Sequence, residues 1–185
     1  MLYTDGMHKT KSGFTLIELL IVLVVIGILV GITLVTYRGT QGRARDTERY
    51  DDVQIIMKAL ALYYADNNTY PPTSRSPSAN GCTTSSYSYS WATDGTWMKP
   101  LIDGGYLKKI PLPPDNSCNS YYSYLHPAPT DYSCPTRTKD YYVLRITGAE
   151  GMQPVDSKTF TPCVGASTTW NASSSVWVFT SDNIT

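Results

Sequence analysis

The sequence has no excess of charge of either sign. Lys and Arg number 15, Asp and Glu number 15, and charged residues make up only 16% of the chain. A nucleic-acid-binding surface normally shows a basic excess, so that class loses its usual signature. Histidine is scarce: His8 and His126 are the only two, and they lie far from zinc-ligand spacing. Cysteine is confined to Cys82, Cys118, Cys134 and Cys163, none of them in a C-x-x-C pair. G-x-S-x-G, H-E-x-x-H and the P-loop are all missing. A non-catalytic protein without cofactor or metal is therefore expected.

What the chain does have begins at KSGFTLIELLIVLV, residues 11–24. From Phe14 to Tyr37 there is one charge, Glu18. A helix over 14–37 would span ~36 Å, enough for a bilayer core of ~30 Å. A secretory signal peptide has a shorter apolar stretch, about 7–15 residues, and ends at a small-residue cleavage site. Here the run continues through GITLV (31–35) with no A-x-A-like site. A plain membrane anchor accounts for the length but leaves Glu18 unexplained, since an ionised acid at that depth costs roughly 2.5–3.5 kcal/mol on insertion scales. Near a helix N-terminus the dipole would favour such an acid, which is the simplest alternative use for Glu18. Gly27 and Gly31 form G-x-x-x-G, which permits close helix approach.

The string KSGFTLIELLIVLVVIGIL resembles the start of type IV prepilins and of type II secretion pseudopilins. The resemblance implies a leader (1–13) cut after Gly13 by a membrane prepilin peptidase, with Phe14 as the new, N-methylated first residue. It implies that Glu18 pairs with the Phe14 amine of a neighbouring subunit. An unpaired charge inside an apolar bundle is costly, so such a pair would set the register of assembly. The resemblance also implies an α+β, type IV pilin-like fold: one long N-terminal helix packed on a small antiparallel sheet head. Its segments are a transmembrane and assembly helix (14–37), an amphipathic helix (38–68) and a disulfide-braced head (69–185).

Along 38–68, Val53, Ile56, Met57, Leu60 and Tyr64 lie at the i, i+3, i+4, i+7, i+11 spacing of one helix face. That stripe is expected to pack beneath the sheet. Gly39 and Gly42 weaken the join between the halves by ~1 kcal/mol each relative to Ala. The mixed acids and arginines of 43–52 suit either inter-subunit ion pairs or a solvated face. The helix stops at DNN (66–68) before YPP (70–72). A Ser/Thr-rich loop follows over 73–90. LIDGGYLKKIPLPPDN (101–116) resembles a pseudopilin stretch near which major pseudopilins bind calcium. Asp115 and Asn116 are oxygen ligands of the right kind, but Ca²⁺ takes six to eight oxygens, so no metal site is assigned.

Runs 120–125, 141–147 and 176–179 are rich in Tyr and Val and read as three strands. Cys118 and Cys134 flank the first, which would leave Cys82 with Cys163. Three connectivities are open, and sequence does not choose among them. The cysteines and the resemblance together place the C-terminal half outside the cytoplasm, although Arg38, Arg43, Arg45 and Arg49 after the run outnumber Lys9 and Lys11 before it. Tyr87, Tyr89, Trp91 and Trp97 suit either an adhesive surface or a local core, and His126 reads as a loop residue.

The function expected is a structural subunit of a type IV pilus, held in the cytoplasmic membrane and then polymerised with copies of itself. Its partners would be membrane lipid, the prepilin peptidase and the inner-membrane pilus assembly machinery, and its uses adhesion, twitching motility or DNA uptake. A pseudopilin of a type II secretion system is the alternative. A tip adhesin or DNA-binding minor pilin is a second.

Overall fold

The structure is a computed structural model. It describes residues 13–74, 81–83, 87–92, 95–127, 132–134, 138–163 and 166–181, with the side chains of 32–38 outside that description. All of the expected leader except Gly13 lies outside the described residues. Two compact units divide the chain, residues 1–40 and 41–185. One helix, α1 (Leu16–Asn67), contributes residues to both.

In the first unit every described residue of α1 is exposed. Leu16, Ile17, Leu19 and Leu20 are 81%, 66%, 61% and 54% accessible, and the same holds on to Val30 at 50%. No face is favoured, because the run is apolar all round, and a helix of that kind has to be covered by something else. Among the described residues no helix is long and apolar enough to cross a membrane. The expected span of 14–37 runs on into 32–38, beyond the described side chains.

The second unit is a sheet clamped between α1 and a covering loop. Strands β1 (Ser88–Tyr89), β2 (Tyr121–Leu125), β3 (Val143–Thr147) and β4 (Val176–Thr180) form an antiparallel sheet in the order β1-β2-β3-β4. The three expected strands are there. The two-residue β1, inside the Ser/Thr-rich loop, is additional and too short to leave a periodic trace. A short helix, α2 (Lys99–Asp103), begins with Pro100 in its first turn, where the missing N–H costs nothing.

Register decides which residues meet α1. Tyr122 pairs with Ile146 and Ile146 with Trp177; Tyr124 pairs with Leu144 and Leu144 with Phe179. These six share one face because side chains alternate along a strand. They form one core with Val53, Ile56, Met57, Ala59 and Leu60 of α1. The stripe read from the sequence is thus the buried face, with Tyr64 packed at its edge. The tyrosine hydroxyls are accommodated at the margins. Tyr124 donates to the Pro71 carbonyl at 2.8 Å, and Tyr122 donates to Asp52 at 2.8 Å.

The opposite face is covered too. Leu125, Tyr141, Val143 and Val178 pack against Phe160 and Trp170, which face each other across an isolated antiparallel bridge. Two-sided burial explains why YYSYL shows no alternation: four of its five residues are buried. Tyr89, Trp91 and Trp97 are buried as well, at 8%, 4% and 3% accessibility. They are core residues, not an adhesive surface. Tyr87 is half-buried and accepts a hydrogen bond from Trp170 at 2.7 Å.

The disulfides differ from the expected arrangement. Cys82 pairs with Cys118, and Cys134 pairs with Cys163. The first bond ties the loop before β1 to the turn before β2. The second ties the loop after β2 to the covering loop. Proximity along the chain favoured Cys118 with Cys134, but β2 carries the chain away from Cys118 before Cys134 is reached. A short knot beside the first bond fixes the same turn. Ser90 donates to the Asn116 side-chain oxygen at 2.7 Å, and Asn116 donates back to the Ser90 carbonyl at 2.8 Å.

Candidate functional site

The candidate assembly end starts at Gly13 and Phe14, both exposed, Phe14 at 90%. Thr15 precedes the first helical residue, and its side chain and Glu18 cap one another. The Thr15 amide and hydroxyl donate to Glu18 Oε2 at 2.9 and 2.7 Å, and the Glu18 amide lies 3.3 Å from Thr15 Oγ1. This is a capping box, in which Ser or Thr and an acid three residues on satisfy each other's backbone donors. T-x-x-E was present in GFTLIE, and Thr15 is the residue that sequence reasoning passed over. Glu18 therefore has a local use inside its own chain. Uncut, Phe14 carries an amide at this point; cutting after Gly13 would replace it with a cationic amine four residues before Glu18.

The second site lies where α1 meets the head. Asp46 and Arg49, three residues apart, occupy one side of α1, and both are 0% exposed. Asp46 accepts from the backbone amides of Glu150 and Met152, each at 2.9 Å, and from Arg49 at 2.9 Å. Arg49 reaches Asp115 at 2.8 Å, Glu150 at 3.2 Å and Ser120 at 3.4 Å. Arg45 makes a two-pronged pair with Glu150, through Nε at 2.6 Å and through Nη2. Gly42 leaves the room for this: a Cβ there would sit 3.3 Å from a Glu150 carboxylate oxygen.

Electrostatics follow the geometry. The Arg45 hydrogen bonds, opposed by some burial and helped by Arg49, push the Glu150 carboxyl down to about 2. Burial pulls the Arg49 guanidinium down, but its bonds to Asp115 and Glu150 outweigh that, and its affinity for the proton rises. Of the acids and arginines of 43–52, Arg43, Glu48 and Asp51 are exposed, and Asp52 accepts from Tyr122. Arg45, Asp46 and Arg49 are spent within the chain. Nothing in the sequence linked them to residues a hundred positions away.

The calcium implied by the resemblance does not fit here. Asp115 already accepts from Arg49 and, at 2.6 Å, from Ser120, and both ends of Asn116 are taken by Ser90. A cation placed at Asp115 would face a guanidinium. Among the described residues no group of three or more His, Cys, Asp or Glu is placed to hold a metal ion. His126 is in a loop, as expected, but it is not alone: its Nε2 lies 2.6 Å from Asp140, which also accepts from Thr69 at 2.8 Å.

The family description "Prokaryotic N-terminal methylation motif" matches residues 8–34. The type II secretion system core protein G of Pseudomonas aeruginosa is 31% identical over 146 residues, covering 79% of this chain and 89% of that protein. Core protein G of Aeromonas hydrophila is 32% identical over 106 residues, covering 57% and 68%. That of Vibrio cholerae is 28% identical over 145 residues, covering 77% and 86%. No solved structure matches. With the methylation motif at the head of a bare apolar helix, and a relative 31% identical that is covered over 89% of its length, the chain belongs to the type II secretion system core protein G family of type IV pilin-like proteins.

Proposed function

We propose that this protein is a pseudopilin, the repeating subunit of a short filament that works as a periplasmic piston in a type II secretion system. The observation that carries the filament-subunit part of the reading is the helix end at 14–31, apolar on every side, exposed throughout and with Glu18 as its one charge. A continuous apolar surface of that kind is covered by lipid or by protein. The precursor is held by its apolar helix in the cytoplasmic membrane. Prepilin peptidase cuts between Gly13 and Phe14 and methylates Phe14. Copies then leave the membrane by packing their helices together, with Glu18 of one subunit paired to the Phe14 amine of another.

The N-terminal motif is common to pilins and pseudopilins and does not choose between them. The head's length and cysteines favour a surface pilus. The similarity to secretion proteins is longer than α1 and so extends into the head; it favours the pseudopilin and weighs more, because the head is where the two kinds differ. The role is structural; no enzyme motif in the sequence asks for another.

The test is made in the native host. Intact mass and N-terminal sequencing should find a chain beginning at methylated Phe14. Deleting the gene should trap secreted enzymes in the periplasm while leaving surface filaments intact, and Glu18→Ala should fail to restore secretion. A chain that keeps its leader would overturn the processing step. Normal secretion with loss of sheared surface filaments would return the protein to the pilus reading.

A further inference from the structure

Among the described residues of the second unit, four large apolar side chains are exposed: Ile55, Leu62, Leu112 and Val155. A single exposed apolar residue is ordinary, but three of these four fall into two shaped places. Ile55 of α1 and Leu112 of the loop after α2, 47% and 46% accessible, line one groove of about 340 Å³ with Ile110, Glu48, Asp52 and Lys109. The loop wall is held from behind, where Trp97 Nε1 donates to the Pro111 carbonyl at 3.4 Å. Val155, 92% accessible, stands on a turn closed by the Ser157 amide on the Pro154 carbonyl at 3.1 Å. Pro154 restricts the backbone just before it. The next residue, Asp156, accepts from Tyr50 and Gln54 of α1, each at 3.2 Å, and so ties the turn to the helix. One place is thus an apolar hole and the other an apolar knob, each on a fixed support.

The helix sets the two on opposite flanks. At about 100° per residue, Glu48, Asp52 and Ile55 lie to one side of the buried stripe Val53, Ile56 and Leu60, and Tyr50 and Gln54 lie to the other. A chain therefore cannot put its own knob into its own hole. The rims are complementary in charge. The hole carries two acids and one lysine. On the knob, Asp156 is turned to its own helix, which leaves exposed Lys158 as the outward charge. Neither Glu48 nor Lys158 is in an ion pair among the described residues. We infer that the groove receives Val155 of a second copy of this chain, with that copy's Lys158 set against Glu48 and Asp52. An apolar centre with a charged rim is the usual anatomy of a protein interface. Joining two different patches is a heterologous contact, which repeats head to tail and, where the rotation does not close a ring, builds an open helix. Both patches lie at the level of 48–55 along α1, so successive copies stand side by side. This contact presupposes the filament proposed above, whichever machine the filament serves.

The experiment is thiol cross-linking of the full chain in its native host, with a short bismaleimide that leaves the two disulfides untouched. Both substituted positions are exposed, so the fold should tolerate them. Leu112→Cys/Val155→Cys in one chain should give a ladder of dimers, trimers and longer species. Either substitution alone should give no multimer, and the two single variants expressed together should give dimers and nothing longer. Lys158→Glu should weaken the ladder several-fold, and adding Glu48→Lys should restore it. Formaldehyde on the same cells reports contact through any surface. Multimers with formaldehyde but no thiol ladder would overturn the knob-and-hole contact and leave the filament standing. No multimer with either reagent would overturn both. Dimers from Val155→Cys alone would mean a two-fold contact, and a ladder indifferent to Lys158→Glu would mean the rims do not meet; each sinks the assignment.

Discussion

Asp46 offers the sharpest measure of how far the charged segment of α1 belongs to the interior. Replacing it with alanine removes the acceptor for three donors at once: the Glu150 amide, the Met152 amide and the Arg49 guanidinium. A buried donor left without a partner costs about 1–3 kcal/mol. Breaking a buried ion pair from one side costs about 3–5 kcal/mol. Glu150 lies at the surface and its amide regains some water, so these do not simply add. Asp46→Ala is expected to lose about 3–5 kcal/mol, which for a domain of this size lowers Tm by roughly 10–15 °C. Asp46→Asn keeps the shape and one acceptor oxygen but turns an NH₂ toward donors, and should lose roughly half as much. Asp51→Ala is the control. That residue is exposed on the same helix, and its removal should stay within about 0.5 kcal/mol. The assay is urea unfolding of the full chain in detergent, with the slope required to match across variants. If Asp46→Ala falls within about 1 kcal/mol of Asp51→Ala, Asp46 is a solvated or inter-subunit acid and the interior network is wrong.

Acid should expose the Glu150 pairs. Its folded pKa lies below its ordinary value, so its contribution is present above pH 4.5 and is lost as pH falls toward about 2. The wild type should therefore exceed Glu150→Gln by about 1–2 kcal/mol near neutrality, discounted for partial exposure. That gap should close across the same acid window when unfolding is followed by circular dichroism, and a constant gap would refute the pairing. Non-reducing peptide mapping should recover Cys82 joined to Cys118. The Cys82→Ser/Cys118→Ser double variant should lose about 2–4 kcal/mol in urea unfolding, and no loss would mean the loop is held by the Ser90–Asn116 knot alone. Gly148→Ala should be severe. Its φ is +89°, and a Cβ would lie 2.7 Å from the Ser120 Cβ and 2.8 Å from the Asn119 carbonyl. A loss of more than about 2 kcal/mol is expected, and a neutral result would mean the β2 and β3 ends do not approach as described.

Much of this protein is written in local pattern. The string GFTLIE and the apolar run behind it mark the proposed assembly end, since apolarity on every side of a helix needs no tertiary context to be seen. The stripe from Val53 to Leu60 gives the buried face of α1 because 3.6-residue periodicity is local. The strands are visible from the Tyr and Val content of 120–125, 141–147 and 176–179, within two residues of their ends in the structure. Thr15 was legible as well, through T-x-x-E. What the tertiary structure alone decided has a common cause, which is that partners lie far apart in the chain. The back face of the sheet is closed by Phe160 and Trp170, so the strands lose the alternation that would have revealed one wet side. Cys82 chooses Cys118 because β1 pairs with β2, and Cys134 chooses Cys163 because the covering loop returns over that face. Arg49 looks in the sequence like one charge among many on a helix. Only when Asp115 and Glu150 are folded against Asp46 does it become the enclosed cation that holds the helix to the head.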